Sequence, residues 1–170
     1  LYIADGHHRA ASAVKVGLRR REQNPNYTGD EEFNFFLSVI FPSDELRILD
    51  YNRVIKDLNG LSDEEFLLEL RHKFDIEKHG KNEYRPKRAH SFGMYMSGEW
   101  YALFAKSEIT KSLDAVKSLD VSILQDNVIS PILGIDDPRT DKRIDFVGGI
   151  RGLSELSRRV DSGEEKLAFS

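Results

Sequence analysis

The chain has 170 residues, of which 39% are hydrophobic and 32% charged, so we expect a globular protein with a buried core. Its net charge of -4 argues against a protein that mainly coats nucleic acid, because such a surface is usually basic. With no cysteine, disulfides, thiolate zinc sites and cysteine nucleophiles are excluded.

No stretch approaches the roughly 18 apolar residues of a membrane span, and no signal-peptide pattern is present. We therefore expect a cytoplasmic protein with no membrane partner. The chain starts with Leu inside an apolar run and ends on the strand-like run 166–170. These ends predict a fragment of a longer protein, with residues 1–170 forming a single mixed domain and a sub-boundary near 107–112.

The first element is the most informative for chemistry. Residues 1–4 are apolar and predict a buried strand, and residues 9–20 have the spacing of a helix with one apolar face. Between them lies the motif Asp5, Gly6, His7, His8 and Arg9 (the DGHHR motif). Strand, turn and helix N-terminus in this order predict an anion site, because the first amides of a helix lack partners and carry positive partial charge. Gly6 lets the backbone approach an anion, and Arg9 offers it a planar fork of donors.

The following segments alternate between loops and strands. Residues 33–41 are rich in aromatic and β-branched side chains and predict a central strand, and 46–50 predict a second strand beside it. Residues 24–30 and 42–45 have loop or turn composition. Residues 51–55 continue into a predicted short helix or turn that ends at Asn59-Gly60. They include Arg53, which is either a second cation for the anion site or an ordinary surface residue.

The central part predicts a helix and a hairpin. Ser62 and Glu65 have the spacing of a capping box, so a helix is expected to follow. Residues 74–77 predict a weak strand and 81–88 an exposed basic loop. Residues 91–96 and 99–105 predict a β-hairpin around Ser97-Gly98.

The C-terminal part predicts a long helix over 113–133, a charged loop over 134–143, and a strand, helix and strand over 143–147, 153–160 and 166–169. This last order is typical of a parallel crossover unit. Together the elements predict an α/β fold of the mixed α+β type, with a mixed sheet, an antiparallel hairpin and flanking helices.

Plainer interpretations remain open at every candidate site. The DGHHR motif is also compatible with a turn that has a capping aspartate and solvated histidines. A metal site of Asp5, His7 and His8 is disfavoured, because adjacent histidines rarely face one ion. The basic loop, the charged loop and the Gly148-Gly149 turn are each more typical of exposed connections, and the hairpin aromatics (Tyr95, Trp100 and Tyr101) are more typical of packing than of base stacking.

The DGHHR motif resembles the phosphate-binding turn of the superfamily of ParB partition proteins, sulfiredoxin and free-serine kinases. That resemblance implies a ParB/sulfiredoxin-like element at the start of the chain. It further implies that Gly6, His7, His8 and Arg9 bind nucleotide phosphates and that Asp5 is a metal-binding or ligand-orienting carboxylate. In the serine kinases the catalytic carboxylate comes from upstream of the turn, which would lie outside this sequence.

Three further segments resemble the family called domain of unknown function 1015, which has been labelled a regulator of partition proteins. They are Phe92-Gly93-Met94-Tyr95 ahead of Trp100-Tyr101, then Leu119-Asp120-Val121-Ser122-Ile123-Leu124-Gln125, then Pro131-Ile132-Leu133-Gly134-Ile135. In that family the DGHHR motif lies near the middle of the full chain.

The expected function is nucleotide and phosphate binding, as part of a nucleotide-dependent phosphotransferase resembling the free-serine kinases. On this interpretation Asp5 and His8 are catalytic, Gly6, His7, His8, Arg9 and Arg53 bind the nucleotide, and no residue forms a dedicated metal site. ATP or ADP with Mg²⁺ is the expected cofactor and a serine-like small molecule the acceptor. The alternatives are a nucleotide-binding regulatory module without chemistry, and a turn that binds only adventitious anions.

Overall fold

The structure is a computed structural model that describes residues 2–112 and 114–170. The chain divides into two compact units, Leu1–Arg47 (the N-terminal unit) and Ile48–Ser170 (the C-terminal unit). The single-domain organisation with a sub-boundary near 107–112 stays a prediction.

Helix α1, His7–Gln23, is the main element of the N-terminal unit. It is followed by two 3-10 turns, Glu32–Asn34 and Ser43–Glu45. Arg20 and Arg21 lie in the last turn of α1, where positive charge suits the helix dipole. Among residues 2–47 only Gly17 is buried. The backbone of Phe33 lies close to α1 at this position, since a Cβ on Gly17 would be 2.9 Å from the carbonyl oxygen of Phe33.

Two strands that we expected in this unit are not formed. Residues 2–4 have no regular structure, and Leu1 lies outside the described residues. Residues 35–41 are irregular and largely exposed, so the predicted central strand over 33–41 is wrong. A run with high strand propensity needs neighbouring strands to satisfy its backbone groups, and none of the described strands pairs with this run.

The C-terminal unit is built on one six-stranded sheet, in the order β2-β4-β3-β6-β1-β5. The strands are β1 (Tyr51–Ile55), β2 (Phe74–Gly80), β3 (Ser91–Met96), β4 (Glu99–Ala105), β5 (Ile144–Gly148) and β6 (Leu167–Phe169). Every pair of neighbouring strands is antiparallel. Together with the helices this confirms the mixed α+β fold class, although the sheet contains no parallel pair among the described residues.

The helices cover the two faces of the sheet. They are α2 (Asp63–Lys73), α3 (Ser107–Thr110), α4 (Asp120–Leu124), the π-helix Gln125–Ile129 that continues α4, and α5 (Ser154–Asp161). α2, α4 and the π-helix contribute to one apolar cluster with Ile55. α5 contributes to a second cluster with Val54, which we call the α5-side cluster. Because neighbouring residues of a strand point to opposite faces, Ile55 and Val54 place the two clusters on opposite sides of the sheet.

The strand, helix and strand at the C-terminal end differ from the predicted crossover in one respect. β5 and β6 run in the same direction, as expected for a unit joined by a helix. However, β1 lies between them and pairs with both in antiparallel register. The central strand of this trio therefore comes from a distant part of the sequence.

Of the remaining predicted elements, some are present in the structure and others are replaced. The capping box at Ser62 and Glu65 is present, and the hairpin β3-β4 turns at Ser97 and Gly98, both with positive φ. Residues 51–55 form β1 instead of a helix or turn, and 46–50 are not a strand. The long helix expected over 113–133 is replaced by turns, α4 and the π-helix, and Leu113 lies outside the described residues.

Candidate functional site

The DGHHR motif lies at the N-terminal end of α1. Gly6 is the N-cap residue and has a left-handed backbone, with φ 81° and ψ 25°. This conformation costs about 1–2 kcal/mol for a residue with a Cβ, so the turn requires glycine or tolerates strain. The predicted helix N-terminus within the motif is therefore present, with its first helical residue at His7.

The first amides of α1 point outward without partners. The first helical bond runs from the amide of Ala10 to the carbonyl of Gly6, over 2.9 Å. No side chain caps the helix, and the first turn contains no acidic residue. Within residues 2–47, the amides of His7, His8 and Arg9 therefore have no acceptor, and they carry the positive end of a 17-residue helix.

The side chains of the motif are exposed around this end. Nη2 of Arg9 lies 3.3 Å from Oδ2 of Asp5, and these side chains are 82% and 94% exposed. Such a surface ion pair contributes little stability and exchanges readily. The Arg9 guanidinium also lies over the turn, since a Cβ on Gly6 would be 3.0 Å from its Nη2. An incoming anion can therefore replace Asp5 as the partner of Arg9.

Arg53 lies in the C-terminal unit, on β1. Its guanidinium is 5.6 Å above the ring centroid of Phe146, and Nη1 donates to the carbonyl of Tyr51 over 3.1 Å. Nε is buried without an acceptor, and among the described residues no carboxylate forms an ion pair with this guanidinium. Burial lowers the pKa of Arg53 from its ordinary value. Arg53 is therefore a partly desolvated cation that lacks an anion within the described chain.

The basic loop contributes contacts within the C-terminal unit. Arg85 pairs with Asp50 over 2.5 Å, the guanidinium of Arg88 lies 4.5 Å above the ring of Phe104, and Tyr84 packs against the α5-side cluster. These three side chains serve packing and local ion pairing.

The remaining candidates also have structural roles. In the charged loop, Arg139 pairs with Asp137 and Arg143 with Asp141. Tyr95 and Trp100 are buried in the α5-side cluster, which confirms that they pack.

Asn52 and Glu165 are buried polar residues whose burial the sequence does not predict. Asn52 is 2% exposed and its Nδ2 has no acceptor; Glu165 is 8% exposed and its Oε2 has no donor. The sequence places Asn52 beside Arg53 in a predicted short helix or turn, and it places Glu165 after Glu164 in a charged stretch that is typical of an exposed segment. Their burial depends on β1 and β6 becoming inner strands of the sheet, which no local signal indicates.

Residues 2–112 and 114–170 contain no helix of the length and apolarity that crossing a bilayer requires. They also contain no group of three or more histidine, aspartate or glutamate side chains placed to bind a metal ion.

Comparison with known proteins identifies the family. Neither the curated proteins nor the solved structures gave a match to this chain. The family model described as "Protein of unknown function (DUF1015)" matches residues 1–122, which include the DGHHR motif and the β3-β4 hairpin. The chain therefore belongs to the DUF1015 family, as the sequence resemblance indicated.

Proposed function

We propose that this chain is a nucleotide-binding and phosphate-binding domain of a nucleotide-dependent phosphotransferase that resembles the free-serine kinases. The observation that carries the proposal is the N-terminal end of α1, where Gly6 has a left-handed backbone and three successive amides lack acceptors. Backbone donors at a helix N-terminus bind phosphate oxygens well.

Arg9 supplies the charge in this proposal. Its guanidinium lies beside Gly6 and is bound only by the exposed Asp5 among residues 2–47. The oxygens of one phosphate can accept hydrogen bonds from both the amides and the guanidinium, because the planar fork of arginine donors matches their geometry. Most of what phosphoryl transfer requires of a protein is such positioning and charge stabilisation.

His8 and Asp5 are the proposed catalytic residues. Both are exposed at the helix end, so they can reach a phosphate and an acceptor hydroxyl. His7 and His8 can donate to phosphate oxygens, and Asp5 can orient the acceptor once Arg9 has turned to the phosphate. Arg53 lies in the C-terminal unit and is proposed separately as a phosphate-binding cation, supported by its Nε, which is buried without an acceptor.

ATP or ADP with Mg²⁺ is the proposed cofactor, with a serine-like molecule as acceptor and the cytoplasm as location. Mg²⁺ typically binds through substrate phosphates and one or two carboxylates, so it needs no dedicated protein cage. Asp5 is the carboxylate of the motif that could contribute to it. When bound, the ion would neutralise charge on the phosphates.

One observation favours the alternative, a regulatory module that binds nucleotide without chemistry. Asp5, the carboxylate of the motif, is bound to Arg9 and not to either histidine. No acid–base pair is therefore assembled within the described motif, whereas three successive amides lack acceptors and could bind a phosphate.

The test is calorimetric titration of the protein with ATP and ADP in the presence of Mg²⁺, combined with an assay for phosphate transfer to free serine. Arg9→Ala should weaken nucleotide binding at least about tenfold, equivalent to ~1.4 kcal/mol. Arg19→Ala, at an exposed position further along α1, is the matched control and should bind like the wild type.

The outcomes separate the hypotheses. Nucleotide binding with turnover that Arg9→Ala abolishes supports the phosphotransferase. Binding without turnover supports the regulatory module. Equal binding by the wild type and Arg9→Ala would show that both are wrong.

A further inference from the structure

A groove of about 260 Å³ lies at one end of the sheet in the C-terminal unit. Its lining comes from the residue after β1, the β3-β4 turn, the end of α5, and the segment between α5 and β6. We call it the β1–β6 groove. The lining residues are Lys56, Ser97, Val160, Gly163, Glu165 and Lys166. All belong to one compact unit, so the groove does not depend on the position of the DGHHR motif.

Glu165 is the unusual residue of this groove. Only 8% of its surface is exposed, and Oε2 is buried without a hydrogen-bond donor. The described residues form no ion pair or side-chain hydrogen bond with either of its carboxylate oxygens. A buried charge without a donor is costly, and nearly all buried polar groups in proteins have a partner. The lining of the groove therefore includes a largely buried carboxylate that has no hydrogen-bond donor among the described residues.

The two lysines of this groove differ in whether their ammonium group has an ion-pair partner. Nζ of Lys166 is 2.7 Å from Oδ1 of Asp63, so its charge is already balanced. Lys56 is exposed, and its ammonium group has no side-chain partner among the described residues. It lies more than 4.0 Å from the Glu165 carboxylate, since no salt bridge joins them. The unbalanced charges of the groove are therefore one cation and one anion, held apart.

We propose that the β1–β6 groove binds a small zwitterion of the ω-amino acid type, with its ammonium group on Glu165 and its acid group on Lys56. Opposite charges separated by several bonds match two protein charges that do not touch each other. The ammonium supplies the donors that Glu165 lacks, and the acid group supplies the acceptor that Lys56 lacks. This inference does not rest on the proposed nucleotide function.

The electrostatic surroundings of Glu165 are consistent with a bound cation. Burial raises the pKa of this carboxyl, Asp145 and Glu164 raise it further, and Lys56 and Arg159 lower it. Arg159 is itself paired with Asp145 and Glu155, so it is not a free partner for Glu165. A ligand ammonium would favour the ionised carboxylate, and binding should strengthen as the pH rises through the pKa of Glu165.

The experiment is calorimetric titration of the protein at neutral pH with glycine, β-alanine, γ-aminobutyrate and ε-aminocaproate. We expect one of the longer members to bind with 1:1 stoichiometry and glycine to bind at least about tenfold more weakly. Glu165→Gln keeps the shape but removes the charge and should weaken binding at least about tenfold, or ~1.4 kcal/mol. Glu164→Gln, the same change at the exposed neighbour, is the control and should change binding far less than Glu165→Gln does. Lys56→Met should also weaken binding.

Other outcomes would overturn the inference. These are the absence of binding by every member of the series at 10 mM (about the weakest affinity worth assigning to a site), or equal binding by the wild type and Glu165→Gln. A thermal melt of each variant shows whether it is folded, and removing a buried charge should not unfold the protein. If Lys56 instead turns inward to pair with Glu165, no ligand will bind and Lys56→Met will destabilise the folded protein.

Discussion

Ser170 and Gly93 form a two-way backbone pair, and the Ser170 hydroxyl occupies the space where residue 93 would carry a Cβ. The amide of Ser170 donates to the carbonyl of Gly93 over 2.9 Å, and the amide of Gly93 donates to the carbonyl of Ser170 over 3.0 Å. A Cβ on Gly93 would meet the Tyr84 carbonyl oxygen at 2.6 Å and the Ser170 hydroxyl even more closely. The neighbouring atoms therefore leave no room for a side chain at position 93 of β3.

We predict that Gly93→Ala lowers the free energy of unfolding by about 1–3 kcal/mol, the usual cost of inserting a methyl group into a packed region. One of the two clashing atoms is the Tyr84 carbonyl oxygen, which cannot move without shifting the backbone of the loop between β2 and β3. Urea unfolding followed by circular dichroism measures the effect. Gly148→Ala is the control, because nothing lies within 4 Å of a Cβ there. Equal stability of Gly93→Ala and the wild type would contradict the packing described.

Gly6→Ala should weaken binding of inorganic phosphate and ATP at least about tenfold, or ~1.4 kcal/mol. The backbone at φ 81° disfavours a side chain, and the new methyl group would displace the Arg9 guanidinium from its position 3.0 Å away. Calorimetric titration measures the loss, again with Gly148→Ala as the control. If Gly6→Ala binds phosphate as tightly as the wild type, the turn is not the anion site.

Glu165→Gln should stabilise the protein at neutral pH and have little effect in acid. The pKa of Glu165 is raised in the folded state, so its contribution to stability is fully present below the unfolded-state pKa. That contribution is lost as the pH rises through the folded-state pKa, because ionisation is then favoured by unfolding. Glutamine does not ionise and avoids this loss.

Urea unfolding of the wild type and Glu165→Gln at pH 4 and pH 7 measures this linkage. The advantage of the glutamine variant should grow with pH, and Glu164→Gln should not reproduce it. A variant advantage that is greater at pH 4 than at pH 7 would have the wrong sign for a raised pKa.

Tyr95→Phe should lower the free energy of unfolding by about 1.5–3 kcal/mol, the range for a hydrogen bond to a charged group. The Tyr95 hydroxyl donates to the Asp161 carboxylate, with distances of 2.8 Å to Oδ1 and 3.0 Å to Oδ2. Burial and this carboxylate raise the pKa of Tyr95 to about 12. The hydroxyl is therefore protonated at neutral pH and fastens β3 to the end of α5.

Two measurements check this prediction. Chemical denaturation gives the stability change, and ultraviolet titration should show one tyrosine fewer among those that ionise only near pH 12. A Tyr95→Phe variant as stable as the wild type would indicate that the hydroxyl has an equivalent partner in water.

The elements that the sequence predicted well have local causes. The capping box at Ser62 and Glu65 starts α2 through contacts between residues three positions apart. The β3-β4 hairpin turns at Ser97-Gly98, where a small pair of residues accepts positive φ. The end of α1 at the DGHHR motif follows from a glycine before a helical pattern. In each case the signal and the structure it causes lie within a few residues.

The elements that were predicted wrongly have distant causes. Residues 51–55 become β1 because β5 and β6 supply a partner on each side, and both lie near the other end of the sequence. Residues 33–41 have stronger strand composition, yet no described strand pairs with them. The burial of Asn52 and Glu165 follows from the same distant pairing. Strand composition indicates what a segment can do, whereas the presence of partners decides what it does.

The position of β6 in the sheet determines when the C-terminal unit can finish folding during synthesis. This three-residue strand is the last element of the described chain, but it joins β3 on one side to β1 on the other. Without it the sheet would separate into a β2-β4-β3 half and a β1-β5 half. During synthesis the two halves cannot be joined until residues 167–169 have left the ribosome, so this sheet is completed only after all of its other strands have been made.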